Sequence, residues 1–100
     1  MIALTPSSHV RAQAFIRGDA NLDGSVDASD AVKILLVLFA GGTTTCRDAL
    51  DADDSGTLGV NDAVWVLEAL FRGGPAPPPP FPAPGVDPTP SDSLDCLRGL

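Results

Sequence analysis

A chain of 100 residues fits one small domain, and a core of that size commonly needs metals or disulfides as supplements. Six Lys and Arg against thirteen Asp and Glu give a formal charge of −7, which leaves no basic stripe for phosphates and excludes a nucleic-acid partner. The longest apolar run, residues 34–40, is far too short to span a bilayer.

Residues 1–14 read as an irregular N-terminal arm, broken by Pro6 and the polar Ser7-Ser8-His9. Alternation of Val10, Ala12 and Ala14 with Arg11 and Gln13 predicts a short strand or an extended arm. Phe15 and Ile16 are expected in the core. The opening MIALTPSSHVRAQAFIRG lacks the charged segment and long apolar stretch of a signal peptide, so an extracellular protein would be a mature form or a fragment of a longer precursor.

Residues 19–30, DANLDGSVDASD, place oxygen-bearing side chains at the first, third, fifth, ninth and twelfth positions around Gly24, the ligand spacing of a twelve-residue calcium loop. Asp19, Asn21 and Asp23 supply side-chain oxygens, Ser25 a carbonyl, Asp27 a direct or water-mediated ligand, and Asp30 one or both carboxylate oxygens. Val26 is the apolar position that forms a short β-contact between paired loops. A helix is predicted from about Ser29 to Ala40, ending at Gly41-Gly42. Its Ile34, Leu36 and Val37 extend the apolar surface nearly all round, so a further element or a partner should cover them.

Residues 51–62, DADDSGTLGVND, repeat the loop at a constant offset of 32. Asp51, Asp53 and Asp62 remain, while Ser55 replaces the fifth-position carboxylate and Gly59 leaves the ninth without a side chain; Thr57 offers its carbonyl. Fewer charged ligands predict weaker binding at this second loop. Two Ca²⁺ would formally neutralise four charges, leaving −3. A turn rich in Asp that only caps a helix is the alternative for either loop, disfavoured by two loops in register. The second helix is predicted from about Asn61 to Arg72, with Glu68 and Arg72 an i,i+4 pair. Trp65 is read as core or as a binding hot spot.

Residues 75–100 read as a proline-rich C-terminal strap, and PAPPPPFPAPGVDPTP favours polyproline II over helix or central strand. Cys46 and Cys96 predict one disulfide in an oxidising, calcium-rich compartment, with two free thiols in a cytosolic protein as the alternative. A bridge would return the tail to the connection between the repeats. About ten residues of polyproline II reach about 31 Å, beyond the roughly 18 Å of a twelve-residue helix. The strap is therefore expected to cross the apolar helices with Phe81 as its anchor.

Together the two acidic loops, Asp30 and Asp62 at the twelfth position, Val26 and Leu58, and the exiting helices resemble dockerin domains over roughly residues 17–74, within an expected domain of residues 15–74 (repeats 15–42 and 47–74). The Gly-Gly- and Pro-rich extension ending near a second Cys looks like a variant found in secreted bacterial proteins. The resemblance implies an all-α fold in which two EF-hand-type loop–helix repeats pack antiparallel, each without an entering helix, with Ca²⁺ in both loops. It also implies docking to a cohesin-like protein. The positions that recognise cohesin hold Ala28, Ser29, Leu35 and Leu36 in the first copy, and Val60, Asn61, Leu67 and Glu68 in the second. The basic residue that often follows the paired leucines is missing.

The expected function is an extracellular or cell-surface calcium-binding module for non-catalytic protein attachment. The alternative is a structural subunit that self-associates into a fibre or coat. Ile34, Leu36, Val37 and Trp65 are the candidate interaction residues, and Thr43-Thr44-Thr45 and the prolines are candidate carriers of O-linked glycans. An enzyme is not expected, since no nucleophile elbow, phosphate loop or Cys–His pairing is visible.

Overall fold

In the computed structural model, which describes residues 13–88, 94–97 and 99, each acidic loop runs straight into a helix. Helix α1 spans Ala28–Phe39, a short α2 spans Arg47–Leu50, and α3 spans Val60–Phe71. The described residues form no strand, and the fold is all-α.

Local chemistry sets both ends of the long helices. Asp27 Oδ1 accepts the amide of Ser29, and Asp30 Oδ2 accepts that of Asp27, which satisfies donors that the first turn leaves open. Gly59 has no side chain to cap α3, but its own amide donates to Asp62 Oδ2. At the other ends Gly41 (φ 74°) and Gly73 (φ 67°) turn the chain left-handed. The amides of Gly42 and Gly74 then close on the carbonyls of Leu36 and Glu68. Glu68 and Arg72 form the expected exposed pair at 3.4 Å.

Helices α1 and α3 pack on one another around a core that repeats like the sequence. Ala20, Ala31 and Ile34 are buried in the first half, and their counterparts Ala52, Ala63 and Val66 in the second. Leu50 completes this core, with Val26, Leu58, Val37 and Trp65 packed at its edge. Val26 and Leu58 therefore contribute side-chain packing, and no β-bridge joins them.

Ile34, expected among the interaction residues, is 0% exposed and belongs to this core. The helical period explains the correction, because residues 31, 34 and 38 share one face while 32, 36 and 39 share the opposite one. That second face is open: Val32, Leu36 and Phe39 on α1, and Val64, Leu67 and Phe71 on α3, are all exposed.

A second, smaller core joins the chain's two flanks. Phe15 is fully buried beside Cys46, Ala49 and Cys96, with Leu22 packed against them. Cys46 and Cys96 form a disulfide across a sequence separation of 50, and the bonds Asp48 N to Asp95 O and Leu97 N to Thr45 O flank it.

Residues 75–88 are held mainly by the segment before the first loop. Phe15 and Gly85 exchange both backbone hydrogen bonds, and the Arg17 amide donates to Pro80 O. Trp65 Nε1 donates to Ala76 O at 3.4 Å. Phe81 is only half-buried, and the open stripes on α1 and α3 show that this segment does not cover their outer faces. The predicted alternation at Val10, Arg11 and Ala12 lies outside the described residues, whereas Phe15 and Ile16 are buried as expected.

Candidate metal centre

Each loop gathers three carboxylates from positions one, five or three, and twelve. Asp19, Asp23 and Asp30 form the first group and Asp51, Asp53 and Asp62 the second, with ligand oxygens within 4.8 Å of one another. Asp19, Asp30, Asp51 and Asp62 are 0% exposed. None of the six joins an ion pair among the described residues.

Backbone amides position these oxygens in the same way in both copies. Asp19 accepts from the amides of Asp23 (3.2 Å) and Gly24 (2.9 Å), and Asp51 from those of Ser55 (3.1 Å) and Gly56 (2.9 Å). Asp30 accepts from Asn21 and Asp27, and Asp62 from Asp53 and Gly59. Leu22 (φ 60°) and Asp54 (φ 54°), both at the fourth position, take the left-handed conformation that folds the loop over its first carboxylate. Gly24 and Gly56 do the same at the sixth.

Burial carries an electrostatic consequence. Desolvation pushes the Asp30 carboxyl up to about 6 and that of Asp62 up to about 7, and it raises Asp19 and Asp51 as well. Asp23 moves the other way, chiefly through the Ser25 amide. Asp53 is partly desolvated, but hydrogen bonds beginning with that from Ser55 hold it below the usual range. Four carboxylates buried without a cationic partner are expensive when ionised, and a bound cation would remove that cost. The donor set therefore fits a metal ion: oxygen only, anionic, and converging on one point in each loop.

The remaining predicted ligands are arranged less uniformly. Asn21 Oδ1 accepts the Asp23 amide while its Nδ2 bonds Ser29 Oγ, and the Ser25 amide turns toward Asp23. Asp27 stays outside the carboxylate group, because its Oδ1 binds the amide and hydroxyl of Ser29 at the start of α1. In the second loop the Ser55 hydroxyl lies against Thr57 O, and Asn61 Nδ2 reaches Asp53 Oδ2. A Cβ at Gly59 would come within 2.6 Å of Asn61 Oδ1, so Asn61 occupies space that a ninth-position side chain would need.

No sequence pattern marks Arg17, yet it is the largest fully buried side chain among the described residues. It leads into the first loop but serves the second: NH1 donates to the carbonyls of Asp48 (3.3 Å) and Asp51 (3.1 Å). Nε donates to Pro79 O at 3.0 Å and NH2 to Asp87 Oδ1 at 3.0 Å, while Asp54 lies 3.5 Å from NH1. The guanidinium also sits 5.3 Å from the Phe15 ring centroid. Its one sequence signal is a cation two residues before the first position of the acidic loop.

Leu36 is exposed, and Val37 and Trp65 are half-buried, so of the predicted interaction residues Leu36 is the most accessible. No helix among the described residues is long and apolar enough to cross a membrane. Comparisons with protein-family models, with curated proteins and with solved structures find no match to this chain.

Proposed function

We propose that this chain is a calcium-binding, dockerin-like module of an extracellular protein, and that it mediates non-catalytic attachment to another protein. The observation that carries the reading is the pair of carboxylate groups, which share positions one and twelve of two loops offset by 32 residues, each partly buried and with none of its carboxylates in an ion pair. Oxygens on opposite sides of a calcium ion lie up to about 5.2 Å apart, a span the 4.8 Å groups fit. Asp19, Asn21, Asp23, the Ser25 carbonyl and Asp30 would hold the first ion. Asp51, Asp53, the Ser55 side chain, the Thr57 carbonyl and Asp62 would hold the second, and water would serve the ninth position. Bound calcium supplies charge neutralisation that lets four buried carboxylates remain ionised, and so supports the scaffold.

The disulfide supports an oxidising compartment. In this reading residues 75–88 act as a strap that ties the N-terminal flank to the repeats. Attachment would use the outer faces of α1 and α3, where Val32, Leu36 and Phe39 on the one and Val64, Leu67 and Phe71 on the other are exposed. The same exposed stripes favour a second reading, self-association into a fibre or coat. Light scattering of the full chain in calcium separates the two: small monodisperse particles are expected for an attachment module, and polymers would replace that reading with the second. Thr43 and Thr45 are exposed and offer sites for O-linked glycans in either case.

A further inference from the structure

We propose that Arg17 is a positioning residue for the second acidic loop, and that docking of residues 75–88 and filling of that loop by Ca²⁺ strengthen one another through its guanidinium. This rests on the calcium reading above.

The guanidinium bonds the second loop and residues 79–87 at once, a direct link beside the more distant Trp65–Ala76 bond. On one side it holds the Asp51 carbonyl, at the loop's first position, and faces Asp54 at the fourth. On the other side it holds Pro79 O and Asp87. The planar fork makes these bonds at once, and the point charge of a Lys could not span them. Losing the proline-rich segment would leave the buried cation short of partners, and its reorientation would release the Asp51 carbonyl.

Electrostatics act in the same direction. A cation this close to a calcium loop opposes the ion unless its charge is offset, and Asp87, whose side chain is 6% exposed, lies only 3.0 Å away. Removing the Asp87 charge would raise the positive potential at the second loop. The first loop is an internal control, because at the offset of 32 residues the counterpart of Arg17 is Ala49, which has no charge to place.

The test is a calcium titration of the full chain by calorimetry, paired with amide exchange at Gly85, whose N–H bonds Phe15 O and lies outside both loops. Asp87→Asn is expected to weaken the second loop by about 5- to 30-fold and to leave the first within about twofold. By reciprocity, Ca²⁺ should slow Gly85 exchange in the wild type and in Asp19→Asn, but not in Asp51→Asn. Equal weakening of both loops, no weakening, or Gly85 protection that follows the first loop would overturn the linkage. If Asp87→Asn does not fold, the exchange measurements on the other chains decide. Two-ion binding untouched by Asp87→Asn defeats the linkage alone, whereas a wild-type chain that binds no Ca²⁺ defeats the calcium reading with it.

Discussion

Asp30 Oδ2 accepts the Asp27 amide at 2.7 Å, so the carboxylate that closes the first acidic loop also fixes the residue that caps α1. Its other oxygen accepts the Asn21 amide, which leaves the side chain held on both sides before any ion arrives. Asp30→Asn keeps an acceptor for one amide and removes the buried charge. Calcium affinity at the first loop should fall at least about tenfold, while the metal-free chain at neutral pH should be no less stable. Calorimetry and thermal melting in chelator measure the two effects. A variant that loses metal-free stability by several kcal/mol would contradict the view that the ionised carboxylate is a cost without a cation.

The two loops should differ in strength. Ser55 and Gly59 give the second fewer charged ligands, and Asn61 Nδ2 already engages Asp53 Oδ2. Asp19→Ala should therefore remove the tighter calcium-binding event and Asp51→Ala the weaker, read from the isotherms of the single variants. The reverse order would show that charge count does not rank these sites.

Acidity should act with opposite signs in the two metal states. Asp30 and Asp62 bind protons more readily in the fold than in the unfolded chain, with folded values near 6 and 7. Their contribution to metal-free stability is thus fully present below about pH 4 and is lost as pH rises through 6 and 7, on the order of 3 kcal/mol or more in all. With Ca²⁺ in excess the trend should invert, because protons compete with the ion for the same oxygens. Melting temperatures between pH 4 and 8, in chelator and in calcium, check both slopes.

Reducing the Cys46–Cys96 bond should cost stability even with calcium bound. A closed loop of about 50 residues is worth about 4 kcal/mol on the chain-entropy model. Cys46→Ser with Cys96→Ser should lower the melting temperature in calcium, and an unchanged value would mean that Phe15, Ala49 and the flanking backbone bonds hold this corner unaided.

The loops and long helices were legible because everything that specifies them is local. Twelve consecutive residues carry each ligand pattern, and each glycine stop lies within three residues of its helix end. What escaped was long-range. Arg17 bonds partners 31 to 70 residues away, and no periodicity marks such a residue. Helix α2 is four residues long, too short to show a helical repeat. At the positions matching Phe15–Gly18, the second copy has Arg47–Leu50 and turns helical, while in the first Phe15 pairs with Gly85 and Arg17 and Gly18 form a turn. The route of the proline-rich segment depended on that pairing, and so residues 79–85, expected to cross the helices, bond instead to Phe15 and Arg17. Ile34 was misplaced because a helix apolar on most sides does not reveal which side faces in until its partner is known.

The central claim is that the two acidic loops each hold one calcium ion. Isothermal titration of the metal-free full chain with Ca²⁺ tests it most directly. Two ions per chain are predicted, reduced to one by Asp19→Ala or Asp51→Ala and to none by both together. Absence of binding, or a stoichiometry that neither substitution changes, would contradict the account.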